Sequence, residues 1–347
     1  MPEDRTIQSL KEVEQFRVST ENRLFSADGS EILKGWTTDI YFIKTREILR
    51  GMGLADTPVT AEVFAGRPGV MAGTAEVKYM LAGTGVEVWA LPEGRPFAGK
   101  EVVMRITGPY DSFGIYETAL LGVLASSSGW AAAARVVKEA AGDRQVICFG
   151  ARHVHPAVAP VMERAAIIGG ADGCSCILGA KLAGREPTGT VPHAVFLIVG
   201  DTVEVALAYK RIMPEGTPVV VLVDTFKDEA EETLRVAASL GRDLAAVRLD
   251  TAGERGGVTP GLVREVRARL DQAGHKHVRI LVSGGVTPDR IPDLVAAGAD
   301  AFGVGSYISG ASPIDMTMDI KEVSGNPIAK RGRIPGITSA AGLVRIL

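Results

Sequence analysis

Val278-Arg279-Ile280-Leu281-Val282-Ser283-Gly284-Gly285 and, a little further on, Ala301-Phe302-Gly303-Val304-Gly305-Ser306 decide how this chain is read. Each is a short apolar run that breaks off into glycine and serine, and the amphipathic stretch Arg290 to Ala297 lies between them. A strand buried on both faces, a tight turn and a crossover helix produce that phrase. Upstream it recurs at Ala246 to Leu249, Val219 to Val223 and Val146 to Phe149, with less regular runs at Cys174 to Ile177 and Ala194 to Val199. Between the runs, Ala157 to Ile168, Thr202 to Arg211, Asp228 to Leu240 and Leu262 to Gln272 have helical spacing and caps. Six or seven units in about 165 residues fall short of the eight of a regular barrel. The predicted fold class is α/β, an irregular (β/α) barrel of six to seven parallel strands.

Residues 1–117 lack this rhythm. Short runs at Glu76 to Leu81, Glu87 to Ala90 and Glu101 to Thr107, with the turn cluster Gly66-Arg67-Pro68-Gly69, predict strands of a separate α+β sandwich domain. The barrel domain is set at 118–310, entered through a helix over Tyr116 to Ala140. In the tail, 311–347, Met316 to Ile328 reads as two strands around Ser324-Gly325-Asn326, predicted to return to the N-terminal domain and complete it.

At 347 residues the chain is long enough for two domains. Hydrophobic residues make up 46% and charged ones 23%, and 38 basic against 41 acidic side chains leave a net charge of -3, a balance that argues against disorder and against a nucleic-acid partner. The opening MPEDRTIQSLKEVEQ is charged where a signal peptide needs an apolar run, and no uninterrupted apolar segment reaches the roughly 18 residues of a membrane span. A cytoplasmic protein without a membrane partner is expected. Cys148, Cys174 and Cys176 do not make a disulfide framework, and the spacing of the last two does not suit a zinc knuckle.

In a parallel barrel the working groups come from the carboxyl ends of the strands. Just after the apolar runs stand Arg152, His153 and His155; Asp172; His193; Asp224 and Thr225; Arg248 and Asp250; then Ser283, Gly284 and Gly285, and Gly303, Gly305 and Ser306. Basic and acidic groups alternate, which suits an anionic substrate bound with a divalent metal. The two late glycine clusters sit where many barrels hold a phosphate on backbone N–H groups. Val286-Thr287-Pro288-Asp289 reads as a helix start with Thr287 as N-cap. Asp224 and Asp250 close strongly apolar strands, where a carboxylate is costly unless it meets a metal, a cation or a substrate. His193 stands alone after a Gly/Pro-rich loop, and a lone histidine is more often structural than catalytic; His275 and His277 fall at the opposite end of the barrel. Val219 to Thr225 superficially resembles a phosphoribosyl-diphosphate loop but lacks the second acid and the Thr-Gly turn.

With these residues assembled, the chain resembles the nicotinate phosphoribosyltransferase family, the type II phosphoribosyltransferases that also include the nicotinamide and quinolinate enzymes. Phe149-Gly150-Ala151-Arg152 is similar to the segment that stacks on the pyridine and faces it with an arginine, and Gly169-Gly170-Ala171-Asp172 to a stretch placing an aspartate near that ring. Gly189-Thr190-Val191-Pro192-His193 resembles the loop whose histidine ATP phosphorylates. Val223-Asp224-Thr225 and Arg248-Leu249-Asp250 resemble segments around the ribose and diphosphate, and the late glycine clusters the 5′-phosphate cradle. Thr38-Asp39-Ile40-Tyr41 is similar to a motif whose tyrosine enters a neighbouring subunit's site, which implies a homodimer or larger homo-oligomer.

The resemblance implies synthesis of nicotinate mononucleotide and diphosphate from nicotinate and 5-phosphoribosyl 1-diphosphate, with Mg²⁺ and with ATP as co-substrate. His193, Asp224, Arg248 and Asp250 would be the catalytic set, with Asp224 and Asp250 either favouring the cationic ribose or holding magnesium. Tyr41, Phe149, Arg152 and Asp172 would receive the pyridine, and Ser283, Gly284, Gly285, Gly303, Gly305 and Ser306 the phosphate. The nearest alternative is quinolinate phosphoribosyltransferase, which removes a second carboxylate and surrounds it with more Arg and Lys than follow Arg152 here; nicotinamide as acceptor also stays open. A phosphate-binding barrel isomerase or aldolase shares the glycine clusters but needs a lysine at a strand end. A sugar-phosphate sensor leaves the rim charges without a purpose.

Overall fold

The computed structural model describes residues 6–19 and 23–347, which divide into two compact units, one of residues up to 131 together with 312–347, the other of residues 132–311.

The first unit is built on a six-stranded sheet. Its strands are β1 (Pro58–Ala65), β2 (Glu87–Ala90) and β3 (Val102–Pro109), joined by three strands from the tail. β1 pairs antiparallel with β3 and places Glu62 opposite Arg105, which donates to it at 2.6 Å and offsets the burial of that carboxylate. The stretch Thr74–Leu81, expected as a strand, is a helix. Val77, Met80 and Leu81 are buried on one side of it, a three-to-four-residue spacing that a strand does not give.

The second unit carries β4 (Gln145–Cys148), β5 (Gly173–Cys174), β6 (Val219–Leu222), β7 (Leu244–Leu249), β8 (Arg279–Val282) and β9 (Ala301–Val304) in one parallel sheet of order β5-β4-β9-β8-β7-β6. The last strand returns beside the first, so the sheet curls into an irregular barrel whose edges are β5 and β6. Helices Ala159–Gly169, Thr202–Ile212, Glu229–Leu240, Pro260–Gln272 and Ile291–Ala296 connect the strands.

The apolar run Ala194 to Val199, read as a possible further strand, is instead the helix His193–Val199, which leads on to β6. Pro192 precedes it and Gly200, at φ 94°, ends it. Only Phe196 of that run is buried, whereas a central strand would be covered on both faces. The helix expected from Thr287 begins at Ile291. Residues 288–290 form a turn that Arg290 closes by donating its N–H to the Thr287 carbonyl, and Pro292 occupies the first helical turn.

The tail supplies β10 (Met316–Val323), β11 (Asn326–Pro327) and β12 (Val344–Arg345) to the first unit, giving the sheet order β11-β10-β1-β3-β2-β12. Ser324 and Gly325, with φ of 50° and 77°, make the hairpin turn. The helical stretch Tyr110–Ala141 is long and apolar enough by length and composition to cross a membrane, with mean hydropathy 1.4. Its buried positions, among them Leu120, Leu124, Ser127, Ala131, Ala134 and Ala141, fall on one face, the pattern of a helix packed against a core.

Candidate active site

The carboxyl ends of β4, β7, β8 and β9 surround a cavity of about 370 Å³ in the second unit. Phe149, Arg152, Arg248, Asp250, Ser283, Gly284, Gly285, Gly303, Gly305 and Ser306 line it, ten residues expected there from sequence.

Arg248 is its centre. Alternation along β7 buries Val247 and Leu249 and turns Arg248 inward. Its Nε donates to Ser283 Oγ at 2.8 Å, Nη1 to Thr190 Oγ1 at 2.8 Å and Nη2 to Asp250 Oδ2 at 2.9 Å. The guanidinium lies 5.3 Å from the centroid of the Phe149 ring, in cation–π range. Burial lowers its pKa while Asp250 and Asp224 work against that, and an arginine stays charged throughout.

Ser283 Oγ lies 2.9 Å from Asp250 Oδ1, within hydrogen-bond reach. Gly284 and Gly285 follow with φ of 79° and 62°, left-handed values that favour glycine. A Cβ on Gly284 would lie 2.9 Å from Asp250 Oδ1, so this glycine allows the loop to approach the acid. Gly303 and Gly305 have a different reason: a Cβ at 303 would meet the Phe149 ring at 2.4 Å, and one at 305 would meet His153 at 2.6 Å. They clear space for the walls of the cavity.

His193 stands just outside. Its Nδ1 is 3.1 Å from Thr225 Oγ1, and its Nε2 is 3.7 Å from both Asp224 Oδ2 and Asp250 Oδ2. Asp224 is nearly fully buried, its Oδ1 has no hydrogen-bond partner, and burial pushes its carboxyl above the usual carboxylate range. The orphaned oxygen beside a second acid fits a cation. Among the described residues no group of three or more His, Cys, Asp or Glu could hold a metal by protein ligands alone.

Two expected residues are elsewhere. Asp172 is at the foot of the barrel, where its Oδ2 accepts from the Val146 N–H at 2.8 Å and from Lys138 at 2.9 Å. It fastens the start of β4 and is not brought to the rim. Tyr41 belongs to the first unit, exposed in the first turn of helix Ile40–Gly51, its hydroxyl donating to Asp39 at 3.0 Å.

Two residues that hold the site together were missed in the sequence. Thr190 lies inside the quoted loop, yet only its contact with Arg248 reveals a task. Glu163 is buried on helix Ala159–Gly169 and accepts hydrogen bonds from two loops. A second cavity, about 350 Å³, occupies the barrel interior where Ala246 and Ala301 replace the bulky residues that fill most barrels, and Phe149 walls both cavities.

Residues 39–128 match the N-terminal domain of quinolinate phosphoribosyl transferase, and residues 130–319 match its C-terminal domain. The chain belongs to the quinolinate phosphoribosyltransferase family. The crystal structure of a nicotinate-nucleotide pyrophosphorylase from Pyrococcus furiosus is 45% identical, with 91% of this chain and 82% of that one covered and a TM-score of 0.87. The carboxylating nicotinate-nucleotide pyrophosphorylase of Rattus norvegicus is 26% identical over 76% of this chain and 82% of its own length. A nicotinate phosphoribosyltransferase of Mycobacterium tuberculosis, pncB2, is 32% identical over 248 residues, 69% of this chain, but the match spans only 52% of that protein.

These findings correct the expected activity. Both domains match the quinolinate description, and the Pyrococcus furiosus structure, 45% identical, is a nicotinate-nucleotide pyrophosphorylase. The expectation of a nicotinate phosphoribosyltransferase driven by ATP through a phosphohistidine at His193 is withdrawn.

Proposed function

We propose that the chain transfers a 5-phosphoribosyl group to the ring nitrogen of quinolinate, giving nicotinate mononucleotide, diphosphate and carbon dioxide. One observation carries this beyond family membership: Arg248 is held over the Phe149 ring with Asp250, Ser283 and the left-handed Gly284-Gly285 turn around a single cavity. It joins an aromatic face, an anion receptor and a phosphate-sized backbone turn.

In this reading Phe149 stacks on the pyridine, and Arg152 and Arg248 receive carboxylate and diphosphate charge. The pyridine nitrogen attacks the anomeric carbon as the bond to diphosphate breaks, so positive charge grows on the ribose beside Asp250 and Asp224. The carbon–carbon bond to the 2-carboxylate then breaks, the electron pair stays on the ring carbon next to the charged nitrogen, and a proton from solvent replaces the carbon dioxide. A magnesium ion held by Asp224 and Asp250 would neutralise leaving-group charge. His193, between those acids, keeps their separation. The exposed Tyr41 ring is assigned to the acceptor of a second copy of the chain.

The test is product analysis with 5-phosphoribosyl 1-diphosphate, Mg²⁺ and quinolinate labelled in its 2-carboxylate, with and without ATP. Labelled carbon dioxide should appear in equal amount with the mononucleotide, at a rate that ATP leaves unchanged. Mononucleotide formed from nicotinate, with none from quinolinate, overturns the assignment.

A further inference from the structure

Glu163 sits on helix Ala159–Gly169 with its side chain fully out of solvent, and three donors converge on it. Oε1 accepts from the Ala151 N–H at 3.2 Å and from Ser175 Oγ at 3.1 Å, and Oε2 accepts from the Cys176 N–H at 2.5 Å. Ala151 follows β4 and Cys176 follows β5, so one carboxyl group fastens the loops leaving two neighbouring strands. Both loops belong to the cavity wall: Ala151 and Ser175 line it, and Arg152 is the next residue along.

The surrounding sequence makes this reach possible. A Cβ on Gly150 would come within 2.8 Å of Met162, and one on Gly179 within 3.2 Å of Glu163 itself. Gly150 therefore lets the helix approach the first loop closely, and Gly179, inside helix Ile177–Leu182 that follows the second loop, lets the two helices pack closely. Burying a carboxyl group is costly unless hydrogen bonds satisfy it, and here two of the three come from loop backbone rather than from a cation. A packed leucine would fill the space without that cost, but it would leave both loop amides unsatisfied and the loops free to drift. Burial and then the field of Glu163 raise the pKa of the Cys174 thiol to about 12, which keeps that neighbour an inert proton-bearing wall.

We infer that Glu163 is a positioning residue for the acceptor, fixing the Arg152 and Ser175 loops at the separation that receives the pyridine acid. This rests on the phosphoribosyl-transfer reading for its kinetic consequence but not for its structural one. Glu163→Gln keeps size and removes the matched acceptors, since its amide nitrogen faces N–H donors. Amide hydrogen exchange on the full chain should show faster exchange in residues 149–153 and 174–177 only. Steady-state kinetics should show KM for the pyridine acid raised about tenfold, with KM for 5-phosphoribosyl 1-diphosphate within twofold of wild type. If E163Q does not fold, Ser175→Ala removes one of the three bonds and should shift the same KM about threefold.

Unchanged exchange in a folded E163Q, equal shifts in both KM values, or an unmoved KM in S175A after E163Q fails to fold overturns the inference. A wild-type protein that turns over no pyridine acid overturns the reaction while the exchange experiment still decides what Glu163 holds.

Discussion

The two ends of the barrel use the same residue type in opposite ways. At the foot, Asp172 and Asp300 each cap a neighbouring strand: the Val146 N–H donates to Asp172 at 2.8 Å and the Ile280 N–H to Asp300 at 2.9 Å. Each also returns its own N–H to the same residue's carbonyl, at 2.8 Å in both cases. At the rim, Asp250 accepts from the Arg248 and Ser283 side chains with His193 3.7 Å away, and one Asp224 oxygen has no hydrogen-bond partner. An aspartate satisfied by backbone is finished, and its work is structural. One held by movable side chains, or left without a partner, has capacity for a ligand.

The sharpest way to break this distinction is Asp250→Asn. It preserves shape and removes charge where the proposed transfer would make the ribose cationic, so kcat should fall about 10³-fold, about 4 kcal/mol of barrier. The thermal midpoint should move by only a few degrees. A variant that turns over at the wild-type rate would place Asp250 with the foot residues. Gly284→Ala comes next: a methyl 2.9 Å from Asp250 Oδ1, at φ 79°, should raise KM for 5-phosphoribosyl 1-diphosphate about tenfold. The strained backbone should also cost about 1–2 kcal/mol of stability in denaturant unfolding.

Much of this was legible in the sequence. Val-, Ile- and Leu-rich runs ending in Gly, Ser or Asp located the strands, because burial on both faces leaves no polar alternation and the turn must follow at once. Position after the runs picked out Arg152, Arg248, Asp250 and the late glycine clusters, which with Phe149 line one cavity, but it also put Asp172 at the wrong end. Asp172 misled because it was counted among residues that follow an apolar run, whereas it stands just before strand Gly173–Cys174. Gly170-Ala171-Asp172 and Gly298-Ala299-Asp300 are the same phrase at the same place before a strand, and that repetition marks a structural clamp. The run Ala194 to Val199 misled because hydrophobicity alone does not separate a buried strand from a helix that leaves Leu197 and Ile198 exposed; Pro192 and Gly200 were the better guide. Glu163 carried no signal, since a lone glutamate in a helix is ordinarily a solvated one.

The foot makes its own prediction, smaller and of a different kind. Asp172→Ala strips the Val146 N–H of its acceptor and leaves Lys138 only the Arg144 carbonyl, and should cost about 1–3 kcal/mol in chemical denaturation. kcat and both KM values should stay within twofold of wild type. A specific loss of acceptor binding with unchanged stability would return Asp172 to the site.

Glu117, in the first unit, belongs to neither pattern and tests whether partner count is the governing variable. It is half-buried, it accepts from the Tyr110 hydroxyl at 3.1 Å, and burial pushes its pKa up to about 7, against a smaller opposing effect of that hydrogen bond. The protonated form is the one the fold prefers. Stability from this group is therefore complete below the unfolded value near 4.5 and is lost as pH rises toward 7. Glu117→Gln is neutral at every pH and escapes that loss. The variant should match wild type at pH 4.5 and exceed it by about 1–2 kcal/mol at pH 8, solvent screening taken into account. A constant difference between the two proteins across that range would mean that Glu117 is as well satisfied as the foot aspartates, and that a single hydroxyl donor suffices where Asp172 draws on a backbone amide and a lysine.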